Sequence, residues 1–218
     1  MIDIDSWLKI FSGRLEAEFS GRIWFTGIQG SYARGEAKES SDIDIVVIFD
    51  SLTMNDLKEY RAMLDDIPER EKICGFVSGR DEIMSWEPAD LFQFCYDTVP
   101  IKGSLEEIFS LIDSEAVKRA VKVGACNIYH ACVHNFLHER DANILKGLYK
   151  SAAFVIQAEY FMKTGRYTRK HSELLSLVSN EDRHILCPDY DSGFNELSEK
   201  LFVWAGRKIS GGKGNANI

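Results

Sequence analysis

Two aspartates separated by a single residue, Asp42 and Asp44, open the apolar run Ile43 to Phe49. A strand sends alternate side chains to opposite faces, so both carboxylates share one face while Ile43 enters the core. Carboxylates held side by side repel unless a cation neutralises them, and this spacing points to a divalent metal. Mg2+ suits the pair, being hard, oxygen-seeking and usually shared with substrate phosphates. Upstream, Gly27 and Gly30 follow a short β-rich run, and Gly30-Ser31-Tyr32-Ala33-Arg34-Gly35 begins a short helical segment. Glycines there let the backbone approach a ligand closely, and N–H groups at a helix start favour phosphate oxygens. Ser31 adds a hydroxyl donor. Arg34 adds a guanidinium that can meet phosphate or pair with a carboxylate of the site. A phosphate cradle beside a carboxylate-bound metal is machinery for phosphoryl or nucleotidyl transfer. Asp-Ile-Asp alone would equally suit a strand that starts with two solvated aspartates. Its coupling to the upstream Gly-Ser gives it chemical meaning.

The elements around these residues divide the chain in two. Residues 1–104 alternate β-rich runs with helical ones. Ile23 to Gly27, Ile43 to Phe49, Ile73 to Val77 and Pro100-Ile101 read as strands. The second is nearly continuous in Ile and Val, as in a strand buried on both faces. Asn55 to Leu64 reads as a helix, and Pro88 to Tyr96 as another with proline in its first turn. From residue 105 to 209 strand signals nearly vanish. Helices are expected from Ser114 to about His138, Ala142 to Lys163, Ser172 to Val178, Asp182 to Ile185 and Glu196 to Trp204. Residues 210–218 read as a flexible tail. The expected fold is α+β: a mixed-sheet head followed by an all-α helical bundle.

Gly30-Ser31-Tyr32-Ala33-Arg34-Gly35 with Ser41-Asp42-Ile43-Asp44 closely resembles the polymerase-β-type nucleotidyltransferase superfamily, especially its small prokaryotic members. The resemblance is specific from Phe25 to Ser51 and weaker to about Lys102. It implies that Gly30 and Ser31, with Arg34 beside them, hold the phosphates of a nucleoside triphosphate, ATP being the expected donor. Asp42 and Asp44 would bind Mg2+, and in-line attack by an acceptor hydroxyl at the α-phosphate would release pyrophosphate. Active members usually carry a third carboxylate on a later strand. The strand here, Ile73-Cys74-Gly75-Phe76-Val77, has none; Glu71, Asp81 and Asp97 flank it, and Glu71, beside its start, is favoured as the third catalytic acid.

The helical half resembles the kanamycin-nucleotidyltransferase C-terminal type and the related HEPN domains. Some HEPN ribonucleases carry Arg and His at the spacing of Arg166 and His171. A basic helix entrance that contacts substrate is the plainer reading of that pair. Cys126, His130, His134 and His138 recur every four residues, a spacing that suits zinc or a helix face at a domain or subunit interface, the latter implying a homodimer.

Composition narrows the partners. Net charge is −8 over 218 residues, which disfavours long duplex nucleic acid, and no apolar run approaches bilayer length. The acidic start lacks a signal-peptide pattern, and five cysteines without tight pairing fit a reducing cytoplasm. The expected function is Mg2+-dependent transfer of a nucleoside monophosphate to a hydroxyl of a small molecule or protein. The alternatives are a catalytically weakened nucleotide-binding or antitoxin-like protein, or a fused nucleotidyltransferase–HEPN protein acting on RNA.

Overall fold

The computed structural model describes residues 2–211 and divides into two compact units, Met1–Leu111 and Ile112–Ile218. In the first, α1 (Ile4–Glu18) precedes β1 (Ile23–Ile28), α2 (Gly30–Arg34) and β2 (Ile43–Phe49). Then come α3 (Met54–Asp65), β3 (Ile73–Gly79), α4 (Arg80–Met84), α5 (Pro88–Asp97), β4 (Val99–Lys102) and α6 (Glu106–Phe109). The strands form one mixed sheet in the order β3-β2-β1-β4: β1 runs antiparallel to both neighbours, and β2 runs parallel to β3.

Side-chain alternation on β2 explains the layers. Ile43, Ile45, Val47 and Phe49 pack with Trp7, Phe11 and Leu15 of α1 and Tyr60, Met63 and Leu64 of α3. Trp7, Phe11 and Leu15 recur at helical spacing, so α1 is fixed by one apolar stripe. The start of α3 is held electrostatically. Thr53 and Asp56 form a reciprocal capping box, and Arg22 donates two hydrogen bonds to the Asp56 carboxylate at 2.6 and 2.9 Å. Those bonds, with that from Thr53, hold the Asp56 carboxyl well below the usual carboxylate range.

The opposite face carries Asp44, Val46 and Ile48 on β2 and, in register, Cys74 and Phe76 on β3. α5 covers this face: Phe94 meets Phe76 with ring centroids 5.0 Å apart. The first unit extends beyond the boundary expected after residue 104. Leu105 and Ile108 are buried, and Phe109 packs edge-on against Tyr96 at 5.1 Å, which ties α6 to α5.

The second unit is helical: α7 (Ser114–His134), α8 (Ala142–Thr164), α9 (His171–Leu177), α10 (Asn180–Leu186) and α11 (Phe194–Ser210). α7 is shorter than its sequence pattern implies, because Asn135–Glu139 winds into a π turn. The buried Asn135 side chain closes that turn. Its amide donates to the Asp141 carbonyl and its oxygen accepts from the Asp141 N–H, both at 3.0 Å. Ser210, expected in the tail, is the last residue of α11; the rest of that tail, 212–218, lies outside the described residues. No helix among the described residues is long and apolar enough to cross a membrane.

One charged cluster pins three of these helices. Lys208 on α11 pairs with Asp182 on α10 at 2.9 Å and with Glu159 on α8, while the Trp204 indole N–H donates to Asp182 at 2.8 Å. Burial alone would push Glu159 and Asp182 up, but their hydrogen bonds, including those from Lys208, hold both carboxyls below their ordinary values. Native pairing therefore stabilises the unit above the ordinary carboxylate range, and this contribution is lost as pH falls through that range. Lys208→Met keeps the aliphatic stem but leaves the buried Asp182 carboxylate without a cation and Glu159 with Lys163 alone, at a cost of about 3 kcal/mol near neutral pH. Thermal melts at pH 7 and pH 5 should show the deficit narrowing at pH 5, where the stranded Asp182 takes up a proton; an equal deficit at both would contradict the assignment.

Candidate functional site

The site forms where β1 ends. After Ile28 the chain enters α2, whose cap residue gives its first turn no side-chain hydrogen bond. Gln29 occupies the cap position, yet its side chain turns away and donates to the Thr98 hydroxyl at 2.7 Å and the Phe94 carbonyl at 3.2 Å. Its backbone N–H donates to the Asp44 carbonyl at 2.8 Å. One residue thus ties the Gly-Ser turn to the aspartate strand on one side and to the α5–β4 junction on the other.

Gly30 has φ +68°, and a Cβ built on it would stand 1.8 Å from Asp44 Oδ2. The glycine is therefore required by the aspartate. Any side chain would occupy the place of the Asp44 carboxylate, as well as strain the backbone. Expected as a cradle residue by virtue of phosphate approach, Gly30 is also the residue that lets the turn and Asp44 meet.

Asp42 is exposed, one residue before β2, and Asp44 is half-buried on it, with Ile43 fully buried between them. Ser31 and Arg34 are half-buried on α2. The Arg34 Nε lies 3.4 Å from Glu36 Oε2, so the guanidinium is held near the turn by a carboxylate at its edge. Gly30, Ser31, Asp42 and Asp44 thus lie at one end of the sheet, with Arg34 one helical turn away.

The donor set fits a hard divalent cation: two carboxylates one residue apart, one exposed and one half-buried. Among the described residues no group of three or more His, Cys, Asp or Glu side chains could hold an ion. Two protein carboxylates, with phosphate oxygens and water completing the shell, is the usual arrangement for Mg2+. That finding also covers Cys126, His130, His134 and His138. The three imidazoles run along α7 and into the π turn, with successive ring centroids 6.5 and 4.9 Å apart.

The flanking acids separate clearly. Asp81 lies on α4, beyond the Phe49–Gly79 rung, which is about 16 Å along the strands from the Asp44–Cys74 rung. Glu71 is exposed on a one-turn 3-10 segment, Arg70–Lys72, at the outer strand of the sheet. Asp97 is buried at the end of α5. Register places it across β1 from the aspartate strand: Ile28 pairs with Val99 on one side and with Ile45 on the other, and Gln29 bridges the next rung to Thr98 and Asp44. Asp97 thus lies on the β4 side of β1, two residues before Val99, and Asp44 on its β2 side. Sequence reasoning missed Gln29 altogether; its signal, a polar residue beside Gly30, is weak without the β1–β4 register.

Arg166 and His171 lie in the helical unit. Arg166 is exposed and ion-paired with Glu173, and His171 is the first residue of α9.

Residues 26–122 match the nucleotidyltransferase domain family. Among solved structures, the spectinomycin adenyltransferase AAD(9) from Enterococcus faecialis, crystallised with ATP and spectinomycin, is similar with a TM-score of 0.55 and 16% identity. The alignment covers 90% of this chain and 98% of that one, a likeness of fold. No curated protein matches the chain. Residues 26–122 thus resemble a nucleotidyltransferase domain, and the chain shares its fold with a nucleotidyl-transferring enzyme.

Gly30→Ala tests the contact at the centre of the site. The added methyl must displace the Asp44 carboxylate, so nucleotidyl transfer should fall by about two orders of magnitude. Gly35→Ala is the matched control, since Gly35 also has positive φ but a Cβ there meets nothing within 4 Å. Both should lower the melting temperature modestly, and only Gly30→Ala should lower turnover to that extent in a pyrophosphate-release assay.

Proposed function

We propose that the protein transfers a nucleoside monophosphate from ATP to a hydroxyl of a small molecule, with Mg2+ held by Asp42 and Asp44. The observation that carries this reading is the meeting of an uncapped Gly-Ser turn with a carboxylate strand, enforced at Gly30. The N–H groups of Gly30 and Ser31 and the Ser31 hydroxyl bind phosphate oxygens of the triphosphate. Arg34, released from Glu36, adds a guanidinium to the same phosphates. When bound, the cation neutralises the phosphates and polarises the reacting phosphorus. Asp42 and Asp44 would hold the cation where the turn ends.

Asp97, rather than Glu71, is the third acid in this reading. What supports it is its position in the chain, one residue before Thr98, whose hydroxyl accepts from the Gln29 side chain beside the turn. Its carboxylate accepts the acceptor hydroxyl's proton as the oxygen attacks the α-phosphorus and pyrophosphate departs. The solved relative, crystallised with ATP and spectinomycin, supports a small-molecule acceptor over a protein one. Net charge −8 points the same way, away from long nucleic acid.

Single substitutions separate the roles. With a panel of small polyol and amino-sugar acceptors, Asp44→Asn should lower Mg2+-dependent pyrophosphate release by at least about a thousandfold. Asp97→Asn should lower kcat by about two to three orders of magnitude while leaving ATP affinity near that of the wild type. Glu71→Gln should stay within about threefold of wild type. Loss of turnover in Glu71→Gln with activity retained in Asp97→Asn would reverse the assignment of the third acid.

A further inference from the structure

The helical unit contains a cleft that the nucleotidyl-transfer reading does not use. It lies where the end of α7 and the π turn face α11, and encloses about 410 Å3. Phe136, Leu137 and Phe202 form its apolar walls, and Cys132 and Ser198 lie at its buried floor, 2% and 3% exposed. Glu199 and Asn195 stand at its mouth.

Three independent features mark it as built to receive something. First, the Ser198 hydroxyl is buried with no hydrogen-bond partner among the described residues. A polar atom is costly to bury unpaired, and such atoms are few in folded proteins. The neighbouring thiol does not relieve it, because Cys132 donates to the Ser198 backbone carbonyl at 3.4 Å. Second, the wall is shaped by an irregularity. A continued α-helix would carry residues 135–139 on in the same spiral, but the π turn Asn135–Glu139 holds Phe136 and Leu137 at 41% and 63% exposure. Arg140 braces the result, its guanidinium lying over the Phe136 and Phe194 rings at 5.7 and 5.3 Å while donating to Asn195 at 3.1 Å. Third, the Glu199 carboxylate at the mouth pairs with no cation among the described residues, although Glu196 on the same helix pairs with Lys200.

We infer that this cleft is a binding site for an amphiphilic amine, an aromatic or branched aliphatic body of drug-like size carrying one ammonium group. The apolar body covers Phe136, Leu137 and Phe202; the ammonium donates to the Glu199 carboxylate and the Ser198 oxygen. The volume falls in the range of small-molecule pockets. Its lining favours such a ligand, because the apolar walls of Phe136, Leu137 and Phe202 stand beside the Glu199 carboxylate, a complement to an apolar body with one positive charge. The site uses neither the Gly-Ser turn nor the aspartates, so its failure would leave the nucleotidyl-transfer reading untouched.

The test uses three probes with one shared body, 2-(1-naphthyl)ethylamine, 2-(1-naphthyl)ethanol and 1-naphthylacetate, titrated against the full-length protein by naphthalene fluorescence and calorimetry. The amine should bind at one per chain and at least fivefold tighter than the alcohol, with the carboxylate weakest. Glu199→Gln should bring the amine to within twofold of the alcohol. Leu137→Trp, which fills the mouth from an exposed position, should weaken all three at least tenfold without altering pyrophosphate release. Ser198→Ala should weaken the amine severalfold while leaving the melting temperature of the free protein equal or higher, a result that a purely structural serine would not give. The proposal is overturned by absence of saturable binding, by equal binding of the three head groups, by binding indifferent to Leu137→Trp, or by a signal that follows self-association in size-exclusion chromatography.

Discussion

A carboxylate and a glycine Cα cannot share the end of this sheet with anything between them. Asp44 occupies the volume that a Cβ at residue 30 would fill, so the turn after β1 can carry only glycine there. That exclusion fixes how closely an anion-binding backbone approaches a cation-binding carboxylate. The rest of the head serves to keep the two at that separation. The antiparallel β1–β2 pairing sets the rung, the Gln29 N–H locks it to Asp44, and the Gln29 side chain locks it to Thr98. Behind them, Ile43 and Ile45 anchor β2 in a core supplied by α1 and α3. A polar site that must hold its geometry is thus mounted on the most buried strand in the head.

The two faces of β2 divide the labour. One is wholly apolar and stabilises the fold; the other begins with Asp44 and becomes apolar only from Val46 onward. A one-residue slip in register would exchange these faces, burying both carboxylates and exposing the isoleucines. Stability and chemistry are coupled through that register. Substitutions in the α1 stripe, far from any ligand, are for this reason expected to matter to the site through the position of β2.

Much of this was legible in the residues. Ile43 to Phe49 could hardly be anything but a strand buried on both faces, and Asp-Ile-Asp at its start fixed which residues face the site. Pro88 marked the start of α5 as a proline in a first helical turn should. α1 escaped notice although Trp7, Phe11 and Leu15 display its stripe, because the N-terminal residues were weighed only as a targeting signal. Residues 105–111 escaped for another reason. Their attachment to the head rests on Tyr96 meeting Phe109, a contact between elements that no local pattern encodes. The same limit applies to Gln29 and Asp97. Each gains its place only from the pairing of β4 with β1, and a strand as short as Val99–Lys102 gives little warning of its partner.

The central claim is that the turn at Gly30 and the aspartates of β2 act together on a metal-bound triphosphate. Calorimetric titration of the wild-type protein with a nonhydrolysable ATP analogue, in Mg2+ and again in EDTA, tests it most directly. The account predicts one site per chain whose affinity falls at least a hundredfold when the metal is removed, because the Asp42 and Asp44 carboxylates then repel the phosphates that the turn attracts. Equal affinity with and without Mg2+ would contradict it.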